Sequence, residues 1–489
     1  MTATAADTIR VYDSFFAGGR FQPATSGRSV DVVSPRTEEV IGRVALAGPD
    51  DVERAVAAAR EAFDHGEWPR LAPAERAGML RRVADGLAAR ADELVELGVE
   101  EMGYPIGFSE AYMGPNPVFQ FQYYADLVET YPFEEERAGA MRSLVRREPV
   151  GVVAAIPPFN GPLTLGAQKT APALAAGCSV ILKAPNQDPL ACYVLAEVVE
   201  QAGLPPGVVN VLVSDVPEAE RLVAHPGVDK VSFTGSTAVG QRVAEACGRD
   251  IRRVTLELGG KSAAIVLEDA DLEQAVPGIV GCSVALIQGE ICTMQSRILA
   301  PRSRYDEVVD ALAEAIGSLV VGDPRDRTTA IGPLITREHR GRVERWIATG
   351  REEGAEVKVG GGRPAHMPRG WYLEPTLFAG ATNDMRIARE EIFGPVVTVI
   401  PHDGLDDAVA IANDSPFGLS GTVWTQDEHA ALAVARGVRT GTFSVNAYMV
   451  DPETPFGGFK QSGIGREMAR EGLDGYVELK SIVLSGSTL

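Results

Sequence analysis

Residues 230–261 read KVSFTGSTAVGQRVAEACGRDIRRVTLELGGK. Two β-rich runs, Lys230–Phe233 and Arg253–Leu256, enclose a helical stretch, Ala238–Cys247. The same alternation extends upstream. Gly151–Ile156 reads as a buried strand, Leu163–Ala176 as helix, Ser179–Lys183 as strand, Leu190–Ala202 as helix and Val208–Leu212 as strand. Strand–helix–strand order on this scale predicts a parallel sheet wrapped by helices. A similar alternation resumes at Ala263–Val266 and continues past Val445. Ahead of it, Phe15–Val44 mixes short apolar runs with GG, SG and SP turn signals, as small strands do. One helix opens at Asp50 or Asp51 with the stripe Val52, Val56, Ala59 and Phe63. A second follows Pro73 and carries Leu80, Leu87, Leu94 and Val99 toward Met102.

The chain has 489 residues, 45% hydrophobic and 23% charged, which suits about two to four globular domains. Its formal charge of −21 repels phosphate backbones, so a nucleic-acid partner is not expected. A small anionic cofactor stays allowed, because backbone amides and one Lys can hold phosphate locally. Cys178, Cys192, Cys247, Cys282 and Cys292 form an odd, sparse set with no CxxC pair, which reads as reduced thiols. The start shows no signal-peptide pattern, and its first several residues read as loose. Apolar runs such as Val150–Pro158 fall short of the ~18–20 residues of a membrane span. A cytoplasmic protein without a membrane partner is expected, and no metal site is assigned.

Six segments carry chemistry. In Val231–Gly240 a strand runs into Gly235-Ser236-Thr237 and a helix opens with Gly240 on its first turn. Glycine lets backbone approach a phosphate, and a helix N-terminus offers free N–H donors; a plain tight turn is the alternative. In Leu256–Lys261, Glu257 ends an apolar strand before two glycines. A carboxylate at a sheet's carboxyl edge can be a general base, or it can simply pair with Lys261. In Gln288–Cys292 the thiol is either a nucleophile or a buried small hydrophobe. In Pro157–Pro162 two prolines and a glycine bracket Asn160, an oxyanion donor or a turn former. Glu390–Pro395 and Pro455–Glu467 complete the set.

Taken together, in this order, these segments resemble the NAD(P)-dependent aldehyde dehydrogenases over nearly the whole chain. The most specific pieces are ELGGK at Glu257–Lys261, the Gly289–Cys292 element, EIFGP at Glu391–Pro395 and PFGGFKQSGIGRE at Pro455–Glu467. The resemblance implies that the Cys292 thiolate attacks an aldehyde and forms a thiohemiacetal, its oxyanion held by Asn160 and the Cys292 N–H. Hydride transfer then leaves a thioester, which water activated by Glu257 hydrolyses. Lys169 and Glu467 match positions that pass the proton onward. Lys183 matches an adenosine-ribose contact, Ser236 a pyrophosphate contact, and Glu391 with Phe393 the nicotinamide end.

The same resemblance implies an α/β architecture in three parts. A Rossmann-like cofactor domain takes 1–130 and 148–258, and an α/β catalytic domain takes 259–462. A small β bridging and oligomerisation element takes 131–147 and 463–489, with Val477–Val483 joining the hairpin. A homodimer or homotetramer is implied. The chain also departs from the family pattern. Asn186 stands where strict NAD users have Glu, so NAD is expected with NADP tolerated. Glu290 replaces the usual Gln before the nucleophile. Gly161 and Gln168 replace aromatics, which predicts a wide, more polar aldehyde tunnel beside Phe456 that takes bulky or ring-bearing aldehydes. Two rival functions are release of the thioester to coenzyme A and a non-catalytic role on the same fold. Glu257 argues against the first, and Cys292, Glu257 and Asn160 together argue against the second.

Overall fold

The computed structural model describes residues 9–138 and 141–484. The chain start read as loose, residues 139–140 of the bridging hairpin and the end of the 463–489 segment lie outside them.

Five parallel strands form the heart of an eight-stranded sheet, in the order Arg253–Glu257, Lys230–Thr234, Val152–Ile156, Ser179–Ala184, Val209–Val213. The β-branched and small apolar residues of these strands are buried on both faces, as a parallel sheet covered by helices requires. Alternation divides them. Val153 and Ala155 pack with Ala167, Leu174, Val194 and Leu195 of helices Thr164–Ala176 and Leu190–Ala202. Val152, Ala154 and Ile156 pack with Val52, Val56 and Ala59 of Pro49–Asp64 and with Val243 of Thr237–Arg249. Within the parallel core the chain starts at the middle strand, Val152–Ile156, adds strands on one side and then crosses to the other. The reversal falls between Val152–Ile156 and Lys230–Thr234, and crevices at such a point hold ligands.

A second, seven-stranded sheet has Ala263–Val266 between Arg297–Pro301 and Gly421–Trp424, all parallel. Val396–His402, Thr376–Ala379 and Ser444–Val445 extend it in parallel, and Glu356–Val359 closes one edge antiparallel. A three-stranded sheet pairs Val477–Val483 with Arg142–Pro149, which pairs with Glu134–Ala138, both antiparallel. The α/β class with a Rossmann-like sheet, a second α/β sheet and a small β element is therefore as expected.

Two local expectations need correction. The helix after Pro73 is two helices, Pro73–Ala88 and Ala91–Met102. Arg90 leaves helical geometry (φ −115°, ψ 17°), and its guanidinium bonds both Glu93 and Glu197, which favours a corner. Two further helices, Pro115–Thr130 and Val216–Ala224, were not expected. Each begins with Pro in its first turn, a start signal that the missing donor explains.

Candidate active site

The functional side chains converge where the carboxyl ends of the first sheet face the second. Pro157–Asn160 follows Val152–Ile156, Gly235 follows Lys230–Thr234, and Glu257 is the last residue of Arg253–Glu257. Cys292 sits in the loop ahead of Arg297–Pro301.

That loop is held in an uncommon shape. Ile287, Gln288 and Gly289 follow one another with φ of 41°, 54° and 70°. Left-handed geometry at a β-branched residue such as Ile287 is costly and persists only where surroundings enforce it. Here Gln288 Nε2 donates to the Pro333 carbonyl at 3.2 Å. A Cβ on Gly289 would lie 2.4 Å from the Gly394 carbonyl oxygen, so only glycine lets these two backbones meet. The loop then delivers Cys292, half-buried beside Leu419, Phe456, Met468 and Val450. Burial first, then the charges of Glu391 and Glu257, push its thiol up to about 12. The other four cysteines are buried.

Asn160 is anchored from both ends. Tyr104 Oη donates to its carbonyl at 2.9 Å, and its own Nδ2 donates to the Glu290 carbonyl at 2.9 Å. One amide proton is thereby spent on the nucleophile loop, and the other stays available to an oxyanion.

Glu257 is 2% exposed, and neither of its carboxylate oxygens has a hydrogen-bond partner among the described residues. The alternative pairing with Lys261 is therefore not what holds it. Burial and the neighbouring Glu467 raise its pKa well above the usual carboxylate range, against the opposing pull of Lys169 and Arg466. The surrounding glycines make the space. Cβ atoms on Gly457, Gly259 and Gly260 would fall 2.8 Å from Glu257 Oε1, 2.4 Å from Glu391 Oε2 and 2.3 Å from the Cys292 carbonyl oxygen. The Pro455–Glu467 segment is stapled beside Glu257. Leu258 N–H donates to the Ser462 carbonyl, and Gly463 sits opposite Glu257 in an antiparallel pair.

Lys169 and Glu467 form a buried ion pair at 2.6 Å, with Lys169 also donating to Thr234 Oγ1 and Ser232 Oγ to Glu467. Gln168 belongs to this network. Its Nε2 donates to Glu467 Oε2 at 2.9 Å. A Cβ on Gly161 would lie 2.7 Å from Thr164 Oγ1 and 3.0 Å from Leu165 Cγ, so neighbours crowd that position. Phe456 does pack beside Cys292. The sequence reading missed Tyr112 and Tyr448, whose pKa values are raised by burial first and, secondarily, by the nearby Cys292. No motif marks either tyrosine.

For a dinucleotide the residues present fit. Thr237–Arg249 begins at Ser236, whose hydroxyl makes no capping bond, and Thr237 Oγ1 is buried without a partner. A helix start with unspent donors suits a pyrophosphate. A Cβ on Gly240 would lie 2.4 Å from Leu258 Cδ2, so the first turn of this helix packs closely on the strand end. The ring of Phe233 lies 2.5 Å from where a Gly235 Cβ would be. Lys183 Nζ donates to Asn186 Oδ1 at 3.2 Å, and Asn186 Nδ2 to Asp215 at 3.4 Å. Burial lowers Lys183 to about 8, with Asp215 opposing. Glu391 accepts from Gly260 N–H at 3.0 Å, and burial raises it to about 7. Phe393 has a left-handed backbone (φ 59°) and meets Phe159 edge-on at 5.6 Å. Strain of that kind gathers at ligand clamps.

Comparison with known proteins agrees with this geometry. Residues 21–482 match the aldehyde dehydrogenase family. A geranial dehydrogenase of Castellaniella defragrans is 48% identical over 477 residues, 97% of this chain and 99% of the relative. A Mycobacterium tuberculosis aldehyde dehydrogenase complexed with NAD+ superposes with a TM-score of 0.96 at 44% identity, covering 99% of this chain and 100% of its own. A mutant of aldehyde dehydrogenase C from Pseudomonas syringae, complexed with NAD+ and octanal, gives 0.95 at 40% identity, covering 99% and 100%. With the motifs in one cleft and the likeness spanning both sheets, this chain belongs to the aldehyde dehydrogenase family.

Proposed function

We propose that the protein oxidises uncharged, apolar aldehydes of medium length to carboxylic acids, with NAD as cofactor and NADP tolerated. The observation that carries the substrate class is the wall beside the thiol. Leu419, Phe456, Met468 and Val450 pack with Cys292, and Phe108, Phe159, Leu286 and Ile291 form a second apolar cluster with Met113. Burying an aliphatic chain there is worth about 0.8 kcal/mol per methylene, whereas an unpaired charge would be penalised. The names of the relatives, a geranial dehydrogenase and a protein crystallised with octanal, support the same class.

In the proposed chemistry the Cys292 thiol loses its proton to solvent, its sulfur bonds to the aldehyde carbon, and the carbonyl oxygen takes the electron pair of the C=O bond and the negative charge. The free amide proton of Asn160 and the Cys292 N–H stabilise that oxygen. When bound, the oxidised nicotinamide supplies the hydride acceptor and a positive charge beside the thiol. Glu391 and Phe393 would hold its ribose and ring, Ser236 the pyrophosphate, and Lys183 with Asn186 the adenosine ribose. Loss of hydride from carbon leaves a thioester on Cys292. Glu257 takes a proton from water as its oxygen attacks that thioester, releasing the acid and restoring the thiol. The Lys169–Glu467 pair next to it is the outlet for the proton.

The substrate reading is tested by comparing kcat/KM for octanal, geranial, acetaldehyde and succinic semialdehyde. Octanal and geranial should exceed succinic semialdehyde by about 100-fold or more. A preference for the charged aldehyde contradicts the reading. The acid should be the product with and without coenzyme A. For the cofactor, Asn186→Glu should raise the NAD-over-NADP ratio about tenfold if repulsion of a 2′-phosphate is worth about 1.4 kcal/mol. An unchanged ratio means that position 186 does not face the ribose.

The three-part division given above is also our reading, as is a cytoplasmic location. No helix of the described residues is long and apolar enough to cross a membrane. Association into a dimer or a dimer of dimers is supported by the open edge of Val477–Val483, where Leu479 is 67% and Val483 57% exposed.

A further inference from the structure

Glu290 is the carboxylate that the catalytic scheme leaves unused, although it lies two residues from the nucleophile. It is 1% exposed. Its backbone carbonyl accepts the Asn160 amide, and its Oε1 accepts from Ile335 N–H at 3.1 Å. The same Oε1 lies 3.3 Å from His339 Nε2. That nitrogen is also 2.6 Å from the carbonyl oxygen of Phe393. The Phe393 carbonyl can only accept, so Nε2 carries the proton and donates it there, with Glu290 Oε1 in close contact beside it. His339 is itself held by the helix Arg337–Glu352, whose Thr336 side chain caps the His339 N–H. Its ring meets both Phe159, beside Asn160, and Phe393 edge-on, at 5.8 and 6.1 Å.

The neighbouring contact makes the arrangement more telling. Gly289 and Gly394, the residues next to Glu290 and Phe393, already touch backbone to backbone. The two loops thus pass close to one another at that point. The imidazole, bonded to Phe393 and in contact with Glu290, links them at a second point, and two points fix an angle. Burial keeps His339 neutral, lowered to about 4, and raises Glu290, with Arg342 nearby acting on both. The tie is therefore a neutral hydrogen bond and does not set a full charge beside the thiol.

We propose that His339 and Glu290 are positioning residues: the imidazole, bonded to the Phe393 carbonyl and resting on the Glu290 carboxyl, locks the loop bearing Cys292 and the Asn160 anchor to the loop presenting Phe393. The tie sets the distance from the thiohemiacetal carbon to the nicotinamide ring. It does not hold the dinucleotide. Misplacement of about 1 Å between reacting atoms can cost on the order of 100-fold in rate.

The test uses the full-length enzyme with NAD+ and octanal, or acetaldehyde should the parent reject octanal; that rejection would count against the substrate class and not against the tie. His339→Leu should lower kcat by about 10- to 100-fold and shift the KM for NAD+ by less than about threefold. With aldehyde deuterated at C1 the isotope effect on kcat should rise, because hydride transfer becomes slower than the steps around it. His339→Gln, whose amide can donate to the same carbonyl, should recover to within about threefold of the parent. The proposal is overturned if His339→Leu turns over within about threefold of the parent, if the Gln variant is as slow as the Leu, or if kcat falls without a larger isotope effect. Should His339→Leu fail to fold, Glu290→Gln against Glu290→Ala decides. Gln near the parent and Ala at least about tenfold slower support the tie, and equal rates for the two overturn it.

Discussion

Cys292→Ala abolishes dehydrogenase turnover and leaves dinucleotide binding nearly intact. The expected loss is on the order of 10⁴-fold or more, because the covalent bond has no other donor in the cleft. The remaining cysteines are buried, Cys178, Cys192 and Cys247 in the cores on either side of the first sheet, so none can substitute. The side chain packs against Leu419, Phe456, Met468 and Val450, and removing one sulfur leaves that cluster in place. Titration of the variant with NAD+ should therefore match the parent, while nicotinamide absorbance stays flat on addition of octanal. Substantial residual oxidation means that another group attacks the aldehyde.

Glu257→Gln transfers hydride once and then stalls. Its carboxylate has no hydrogen-bond partner among the described residues, an arrangement expensive for a structural residue and suited to a base that must take a proton from water. A pre-steady-state burst of reduced cofactor should precede a steady rate lower by about 10²- to 10⁴-fold. If burst and steady rate fall together, Glu257 acts before the thioester and not on it. The raised pKa also fixes a sign. A carboxyl whose folded pKa lies above its ordinary 4.5 contributes stability that is fully present below that value and lost as pH rises through the folded pKa. Gln cannot ionise and lacks this loss. The Tm of Glu257→Gln minus that of the parent should thus grow between pH 5 and pH 9, and deacylation in the parent should speed up over the same direction.

Much of the first sheet was legible because a parallel strand buried on both faces writes itself as an unbroken apolar run. Val152–Ile156, Ser179–Ala184 and Lys230–Thr234 differ from their expected bounds by one residue at most. The helix pair Pro73–Ala88 and Ala91–Met102 read as one because alanine-rich sequence continues through the break, and only the ion pairs of Arg90 with distant Glu197 turn the corner. In the site, Cys292, Glu257 and Asn160 were reachable from motifs, since their chemistry needs fixed residue types. Gly161 and Gln168 were less legible for the opposite reason. An absent ring says nothing about what stands beside its place, and here Leu165 and Thr164 crowd Gly161 while Gln168 bonds the Glu467 carboxylate. Glu290 stood out in the sequence, but its partner His339 lies 49 positions on (339 − 290) and carried no signal until the two side chains met.

The central claim is that one thiol carries the acyl group and one carboxylate releases it. Its most direct measurement is peptide mass mapping of Glu257→Gln, mixed with NAD+ and octanal and quenched in acid during the slow phase. The account predicts an octanoyl thioester on the peptide containing Cys292, absent when NAD+ is omitted, and no acyl group on Cys178, Cys192, Cys247 or Cys282. A quenched variant that has reduced its cofactor yet carries no acyl group, or carries it on another residue, contradicts the account.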